Sequence, residues 1–345
     1  MSGGVDSAVA AARILDEGHE VIGLTAQLLP PGWGAARGCC DVDVARETCR
    51  RLGIKHHVVG LSADFLQHVV RYFVEAYAGG LTPNPCIPCN RLVKFGALLE
   101  AAERLGCQAL ATGHYVRRQR RHRRWGLRRA ADFSKDQSYM LLGLSQRQIA
   151  HALFPLAEAR KEEVLAEARR RGLPVLVRES QDLCFVPGDY RDFLAERIPV
   201  APGPILDTEG RELGQHRGLP FFTVGQRRGL RIGGGPKLYV LAHDTKRNAL
   251  IVGTAEQLCR REFEVEEVNW ISIAPPDADR TIPCRVMVRY RGRLIAAEVT
   301  TQPGGRCRVK TGPHNQAVAP GQAAAFYDDD GWLLGGGRIA PPPLP

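Results

Sequence analysis

The sequence has no apolar run long enough to cross a bilayer, and its N-terminus lacks the basic-then-apolar layout of a secretion signal. These absences predict a cytoplasmic protein with no membrane partner. Thiols stay reduced in that compartment. The ten cysteines therefore point to catalysis or metal binding rather than to a disulfide framework.

Acidic residues are in deficit, with 37 Asp and Glu against 47 Lys and Arg, a formal charge of +10. Net charge is informative about the partners that a protein binds rather than about its fold. Residues 117–129 alone contain eight arginines. This segment is either a solvated hairpin or a surface that contacts phosphates and loses affinity steeply with salt, and the sequence leaves both interpretations open.

A chain of 345 residues is too long for one ordinary core, which predicts two or three domains. In the first part of the chain, short apolar runs alternate with amphipathic helical stretches. This alternation predicts an α/β domain with a parallel sheet covered on both faces and ligands at the carboxyl ends of the strands. We expect strands at 20–29, 57–61 and 107–112, and helices at 41–52, 63–77 and 91–105.

After about residue 197, glycine and proline punctuate short strands, at 238–241, 249–252, 295–300, 306–311 and 323–327. From Cys284 to Arg291 the side chains alternate with period two, which predicts one basic face on an antiparallel sheet or barrel. We therefore divide the chain into domains 1–197, 198–265 (small, central, β-rich) and 266–340 (antiparallel β-barrel). A disordered, proline-rich tail is expected at 341–345.

The segment Ser2–Ser7 reads Ser-Gly-Gly-Val-Asp-Ser and runs directly into an apolar helix pattern. Two glycines and a helix N-terminus make a cradle for a pyrophosphate group. No lysine follows, so this is not a Walker-type loop; a capped Gly-Gly turn is the plainer alternative. Such a loop normally follows a strand, and we expect the native chain to begin upstream of Met1 with one.

Cysteines mark two further segments. Pro83 and Pro85 exclude helix around Asn84, and Cys89 is expected just before a helix that begins near residue 90. A helix N-terminus lowers the pKa of a thiol, although Cys-x-x-Cys alone also fits a redox pair or half of a metal site. Cys184 lies beside an acid and an amide, which favours a functional thiol. The alternative is that it serves as a small buried apolar residue, as lone cysteines usually do.

Taken in order, these motifs resemble the tRNA-specific 2-thiouridylases of the ATP pyrophosphatase superfamily, over nearly the whole chain. The resemblance implies a Rossmann-like nucleotide-binding domain and a C-terminal β-barrel that binds tRNA. It also implies ATP-dependent thiolation of C2 of the wobble uridine (U34), with Mg²⁺, AMP and pyrophosphate. Partners would be the tRNA anticodon arm and a persulfide donor such as a cysteine desulfurase or a sulfur-relay protein. The motifs are SGGVDS (2–7), TPNPCIPCN (82–90), ATGHY (111–115), SKDQSY (134–139), ESQDLCF (179–185), FFTVGQRRGL (221–230), RYR (289–291), APGQAAAFY (319–327) and LGGGRI (334–339).

By the same resemblance, Cys184 carries the persulfide and Cys89 is the nucleophile, and the two form a transient disulfide. The ATP site is assigned to Met1, Ser2, Gly3, Gly4, Val5, Asp6, Ser7, Ala26 and Gly113, and the target base to Asn84, Pro85 and Cys86. The tRNA contacts are assigned to His114, Lys135, Asp136, Gln137, Arg289, Tyr290 and Gln322. Strict alternation puts Arg289 and Tyr290 on opposite faces, so both reach RNA only near a strand end or bulge.

Two departures qualify the resemblance. Cys86 stands where the family commonly has an aspartate, and a thiol with a pKa of about 8.5 cannot take over a carboxylate's role. With Cys89 and Cys184 it could instead complete three ligands for an iron–sulfur cluster; no other metal site is assigned. Ala26 replaces a methionine of many relatives, an exchange that backbone contacts to adenine would survive.

Two rival functions remain open at this point. The first is another ATP pyrophosphatase, such as an amidotransferase-type synthetase, which needs no second cysteine and no basic β domain. The second is a non-catalytic RNA-binding protein with a vestigial nucleotide loop, for which both cysteines are dispensable.

Overall fold

The structure, a computed structural model, describes residues 1–30, 32–33, 40–174, 183–233, 236–314 and 316–342. Most of segment 179–185 before Cys184, and the last three residues of the expected tail, lie outside the described residues. The α-helices are α1 Val5–Asp16, α2 Val42–Leu52, α3 Ser62–Phe65, α4 Arg71–Ala78, α5 Cys86–Pro88, α6 Leu99–Arg104, α7 Gln146–Ala150, α8 Lys161–Arg170, α9 Tyr190–Ala195 and α10 Ala255–Leu258. Helical turns of π type at Leu66–Val70 and Cys89–Leu98 join α3 to α4 and α5 to α6.

Sixteen strands are described, most of them in the second half of the chain. They are β1 Ile22–Gln27, β2 Lys55–Gly60, β3 Leu110–Ala111, β4 Val116–Arg121, β5 Arg124–Arg129, β6 Ala152–Leu153, β7 Gly203–Leu206, β8 Glu212–His216, β9 Tyr239–Asp244, β10 Ala249–Gly253, β11 Glu262–Trp270, β12 Thr281–Met287, β13 Ile295–Gln302, β14 Arg306–Thr311, β15 Ala323–Tyr327 and β16 Trp332–Ile339.

The N-terminal domain contains the predicted parallel strands between helices. β1 pairs with β2, and β3 pairs with β6, both in parallel register. In the described residues these are two separate pairs rather than one sheet. The strand expected at 107–112 is only two residues long. One large apolar core lies under this domain, with Phe65, Phe73 and Phe95 fully buried in it.

The remaining strands form the predicted β-rich parts. A four-stranded sheet has the order β8-β7-β10-β9. Strands β11 to β16 close into an antiparallel barrel, because β11 pairs with both β14 and β16. The fold class predicted from the sequence is confirmed. The described part of the chain contains no helix of the length and apolarity that a bilayer crossing requires.

The period-two pattern predicted from Cys284 onward is only partly correct. Strand β12 ends at Met287, and Val286, Met287 and Val288 are all buried in succession. Met287 packs into the N-terminal core, whereas Val286 and Val288 pack inside the barrel. Both faces are covered here, so the strand has no continuous basic face.

Candidate active site

The Ser2–Ser7 loop is a tight turn that delivers the chain into α1. Gly3 has a positive φ of 79°, and a Cβ there would lie 2.9 Å from the carbonyl oxygen of Asp41. The Ser7 hydroxyl donates to the Gly4 carbonyl at 2.9 Å and accepts from the Ser2 amide at 3.1 Å. These bonds hold the loop closed over the start of α1, where amide groups and the helix dipole favour an anion.

Gly113 brings the ATGHY segment against this loop. A Cβ on Gly113 would lie 2.7 Å from the backbone carbonyl carbon of Asp6. Since real Cβ atoms do not approach backbone this closely, the contact requires glycine. The segment after β3 and the start of α1 therefore form one wall of a site.

The Asp6 carboxylate is held by two side chains. The Lys161 ammonium, at the start of α8, donates to its two oxygens at 2.6 and 2.8 Å. The Tyr115 hydroxyl donates to Asp6 Oδ1 at 2.7 Å. Burial, and then the neighbouring Asp6 charge, raise the pKa of Tyr115, which keeps this hydroxyl a donor. Asp6 is thus oriented at the mouth of the loop.

A cleft of 670 Å³ opens beside the loop. It brings together most of the side chains predicted for ATP, while Gly3, Gly4 and Val5 shape the turn itself. The polar end of this cleft fits the phosphates of a nucleotide, because it combines a helix N-terminus, hydroxyl groups and one carboxylate. The predicted residues that line it are Met1, Ser2, Asp6, Ser7, Ala26 and Gly113, together with His114 and Gln137 from the predicted tRNA set.

The helix that carries the paired cysteines consists of α5, the π-type turns at Cys89–Leu98 and α6, and we call it the cysteine helix. It begins earlier than the sequence predicts. Its first residue is Cys86, and the Cys89 amide already donates to the Pro85 carbonyl at 3.1 Å. Pro88 is accommodated because the first-turn amides have no intrahelical partner. The Asn84 carboxamide oxygen accepts from the Cys86 amide at 3.1 Å. The expectation that Cys89 precedes the helix is wrong: exposed Cys86 has the N-terminal position, and Cys89 lies one turn in and is buried.

Cys184 lies beside the apolar core to which Cys89 belongs. Cys89 is a member of that cluster, and Cys184 packs against it half-buried. The next residue, Phe185, is fully buried and packs edge-on against Phe65 and Phe73. This aromatic anchor fixes the backbone position of Cys184 relative to the core.

The iron–sulfur alternative is not supported by the geometry. In the ranges that the structure describes, no three His, Cys, Asp or Glu side chains stand together as ligands for a metal ion. Cys86, Cys89 and Cys184 accordingly do not make a ligand set, and we derive no step from a cluster.

The loop before the cysteines is clamped by both β-rich domains. The His243 ring bonds the Gly80 carbonyl through Nδ1 at 2.8 Å. The Thr82 amide donates to the Pro320 carbonyl at 2.8 Å, and the Gln322 carboxamide donates to the Thr82 carbonyl at 3.0 Å. Gln322, predicted as a tRNA contact, is thus engaged in positioning the loop that leads to Asn84.

Of the three residues Lys135, Asp136 and Gln137 that were predicted to contact tRNA, the last two make hydrogen bonds within the protein. Asp136 is buried, and its carboxylate accepts from the Arg129 side chain, the Ala130 amide and the Ser138 hydroxyl. The Gln137 side chain accepts from the Tyr115 amide at 3.0 Å. These bonds support a structural role for Asp136 and Gln137, and contact with RNA stays a prediction for all three residues.

Arg289 and Tyr290 lie just beyond the end of β12, in a turn. This is the position that the sequence required if both are to face one partner. Arg289 is exposed, and the ring of half-buried Tyr290 lies beside that of Tyr139, with centroids 6.1 Å apart and planes tilted by 40°. Burial raises the pKa of Tyr290, and its side chain packs against the apolar core that contains Cys89. The barrel therefore contributes an aromatic side chain beside the cysteine helix.

The arginine-rich segment 117–129 is a hairpin, β4–β5, whose second strand pairs with β16 of the barrel. Most of its guanidinium groups are engaged within the protein. The partners are Glu158 for Arg117, the carbonyls of α7 for Arg118, Asp328 for Arg121, the Trp270 carbonyl for Arg124, the Asp330 carbonyl for Arg128 and Asp136 for Arg129. The hairpin is therefore an inter-domain joint, and the hypothesis of a bare phosphate-binding patch loses support.

We expect Arg121→Ala to lower stability rather than affinity for RNA. Its guanidinium bonds Asp328 at 2.7 Å and lies 5.2 Å from the Trp332 ring centroid. Loss of both contacts should cost about 1 to 2 kcal/mol of unfolding free energy. Denaturant unfolding checks the loss, and the salt dependence of tRNA binding should keep its slope. A shallower slope with unchanged stability would instead identify a phosphate contact.

Comparison with known proteins agrees with this architecture. Residues 1–188 match the family model described as a tRNA methyl transferase HUP domain, 191–254 its PRC-barrel domain, and 260–339 an aminomethyltransferase beta-barrel domain. A tRNA-specific 2-thiouridylase MnmA of Chloroflexus aggregans is 49% identical, covering 99% of this chain and 97% of the relative. The MnmA of Moorella thermoacetica is 45% identical, with 98% of each chain covered.

The chain belongs to the tRNA-specific 2-thiouridylase family. Among solved structures, the U34-tRNA thiolase NcsA of Methanococcus maripaludis, with its [4Fe-4S] cluster, is 20% identical with a TM-score of 0.35. It covers 57% of this chain and 61% of its own. A likeness this weak carries no argument about the present site.

Two side chains of this 2-thiouridylase site were missed by sequence reasoning. Tyr115 is part of the ATGHY motif, which could have drawn attention to it. Lys161 is 155 residues from Asp6 and starts an ordinary amphipathic helix, so no local signal marked it.

Proposed function

We propose that this protein transfers sulfur to C2 of the wobble uridine (U34) of tRNA in an ATP-dependent reaction. The observation that carries the proposal is the match, along nearly the whole chain, to relatives named as tRNA-specific 2-thiouridylases. The polar end of the cleft beside Ser2–Ser7 supports it, because a thiolation that displaces oxygen needs a nucleotide to activate that oxygen. A tRNA substrate fits a cytoplasmic location.

The first step is activation of the target base. The C2 oxygen of uridine attacks the α-phosphorus of ATP, pyrophosphate leaves, and the oxygen becomes part of an AMP leaving group. The loop amides and the N-terminus of α1 bind the phosphates. The Asp6 carboxylate is suited to the Mg²⁺ that accompanies ATP, which would neutralise phosphate charge. Lys161 and Tyr115 hold that carboxylate in place.

The second step moves sulfur. The terminal sulfur of a Cys184 persulfide attacks C2 and AMP departs, which leaves the base joined to Cys184 through a disulfide. The Cys89 thiolate then attacks the Cys184 sulfur, and the electron pair of the broken bond goes to the sulfur on C2. The products are 2-thiouridine and a Cys89–Cys184 disulfide, which an external thiol must reduce. A persulfide donor, such as a cysteine desulfurase or a sulfur-relay protein, then reloads Cys184.

The target base must leave the anticodon stack to reach this site. Asn84, Pro85 and Cys86 lie at the start of the cysteine helix, where an extruded base would meet the two thiols. Tyr290 of the barrel packs against the core that contains Cys89 and is suited to base stacking, and the adjacent exposed Arg289 is suited to phosphate contact.

The test is thiolation of unmodified tRNA by the purified protein with ATP, Mg²⁺, a thiol reductant and a persulfide donor. Nucleoside analysis should show 2-thiouridine, and AMP and pyrophosphate should form in equal amounts with it. The same tRNA with cytidine at position 34 is the matched control and should yield neither product. Thiouridine without ATP, or ADP in place of AMP, would contradict the proposed activation step.

A further inference from the structure

An aromatic side chain stands exposed on the loop that follows β5. This loop, residues 131–137, leads to buried Ser138, and we call it the Phe133 loop. Phe133 is 64% exposed, more than any other large apolar side chain in the described part of the chain, where Val58 comes next at 43%. Single exposed apolar side chains are common. This ring differs from them in how it is supported and in where it lies.

One face of the Phe133 ring is covered by a guanidinium group. The Arg129 guanidinium carbon lies 4.4 Å from the ring centroid. Arg129 is itself fixed, because its Nε donates to the Asp136 carboxylate at 3.2 Å and its amide donates to the Gly331 carbonyl at 2.9 Å. This cation–π contact holds the ring in one orientation. The exposed surface therefore belongs largely to the opposite face of the ring.

The backbone that carries the ring is also fixed. At its two ends, the Ala131 amide donates to the Ala157 carbonyl and the Gln137 amide donates to the Tyr115 carbonyl, both at 3.0 Å. Between them, the Asp132 carboxylate accepts from the amide and the hydroxyl group of the serine two residues on, at 3.0 and 2.6 Å. A ligand that covers the ring thus meets a preorganised surface, and little ordering is needed on binding.

The Phe133 loop lies at the rim of the cleft beside Ser2–Ser7. The Lys161 amide donates to the Asp132 carboxylate at 3.3 Å, while the Lys161 ammonium donates to Asp6. Gln137, the last residue of the loop, lines the cleft, and Phe133 is not among the lining residues. A ligand that enters the cleft and also covers the ring must therefore be larger than one nucleotide.

We propose that the open face of Phe133 stacks on an unpaired base of the tRNA anticodon loop that neighbours the wobble uridine. The inference rests on the proposed function, since it takes tRNA as the substrate. Loop bases of RNA are splayed out and stacked on aromatic side chains, and an aromatic ring accepts any base. Both carboxylates of the Phe133 loop, Asp132 and Asp136, accept hydrogen bonds within the protein, which weakens their repulsion of RNA phosphates. Stacking at the rim holds the anticodon loop while its wobble base enters the cleft.

The test is equilibrium binding of unmodified tRNA, without ATP or persulfide, to Phe133→Ala and Phe133→Tyr. Loss of the ring should raise Kd at least about fivefold, whereas tyrosine keeps the stacking face and should stay within about twofold of wild type. The slope of log Kd against log salt should not change, because no phosphate contact is lost. Tm should stay within about 2 °C, as for other surface substitutions.

Leu213→Ala is the matched control for loss of an exposed apolar side chain. Leu213 lies on β8 of the four-stranded sheet and is 36% exposed, and its replacement should leave Kd unchanged. An equal loss of affinity in this control would overturn the proposal.

A scan of the anticodon loop with single abasic nucleotides identifies the stacked base. At one position other than 34, loss of the base should weaken wild-type binding by about the same factor as Phe133→Ala. The two changes together should cost no more than either alone, because they remove the same contact. Additive losses at every position would overturn the proposal.

The outcomes also separate this contact from the proposed function. If Phe133→Ala binds tRNA as tightly as a wild-type protein that forms 2-thiouridine, the contact is refuted and the function stands. If the wild-type protein does not bind tRNA, both are refuted. If Phe133→Ala raises only the KM for the persulfide donor, the ring is a protein-docking contact and the stacking proposal falls.

Discussion

Replacing Cys184 by serine is expected to lower the rate of 2-thiouridine formation by at least about 10³-fold, the scale on which loss of a covalent nucleophile acts. A hydroxyl oxygen cannot carry the transferable sulfur, so the second step has no donor. The residues proposed for ATP lie in the loop and the ATGHY segment, and Cys184 is not among the residues that line the cleft beside them. Formation of pyrophosphate in a single turnover should therefore stay within about tenfold of wild type.

Cys89→Ser should fail at a later stage and leave a different product. In a single turnover of the persulfide-loaded variant without added thiol, sulfur attack on C2 still proceeds, but nothing breaks the disulfide between Cys184 and the base. The expected result is a tRNA–protein adduct that survives denaturing gels and disappears on addition of a thiol. Quantification of that adduct and of 2-thiouridine separates the two roles.

Cys259→Ser is the matched control for both variants. Cys259 is half-buried and follows α10, far along the chain from the cysteine helix, and its replacement should leave the rate unchanged. Thiolation at the wild-type rate by Cys184→Ser would exclude the relay. Full activity of Cys89→Ser with no adduct would point instead to exposed Cys86, at the start of the same helix, as the resolving thiol.

Local signals account for the parts of the fold that the sequence predicted well. Helix α2 was expected at 41–52 and occupies Val42–Leu52, because the Asp41 side chain caps its first turn and Gly53 ends it in the left-handed conformation. The two ends of α2 are therefore each determined by a residue next to the helix, Asp41 and Gly53. The barrel strands β13 and β15 were likewise marked by alternation or by runs of apolar residues.

The errors arose where a local rule had a tolerated exception or where distant contacts decided the outcome. The cysteine helix was expected to begin near residue 90, but it begins at Cys86 because Pro88 fits its first turn. For the arginines of β4–β5 the sequence left a solvated hairpin and a phosphate-binding surface both open, because the partners that decide between them are distant in sequence: Asp328 is 207 residues from Arg121. The Lys161–Asp6 ion pair was missed for the same reason, because its two residues are 155 positions apart in the sequence.

Gly113→Ala is the change to the proposed nucleotide site from which we expect the largest effect. The new methyl group would lie 2.7 Å from both the carbonyl carbon and the Cβ of Asp6. One of the two segments must therefore move, and the loop cannot keep its present shape. Displacing a binding group by about 1 Å can cost about a hundredfold in rate, so kcat/KM for ATP should fall by that order.

Overpacking also costs about 1 to 3 kcal/mol of stability, and Tm should fall with it. Gly60→Ala is the matched control, since a Cβ at that exposed position meets no atom within 4 Å. Initial rates at varied ATP, measured below the lowered Tm, distinguish a damaged site from an unfolded one. If Gly113→Ala binds and uses ATP as the wild type does, the wall formed by the ATGHY segment and the start of α1 is not the nucleotide site.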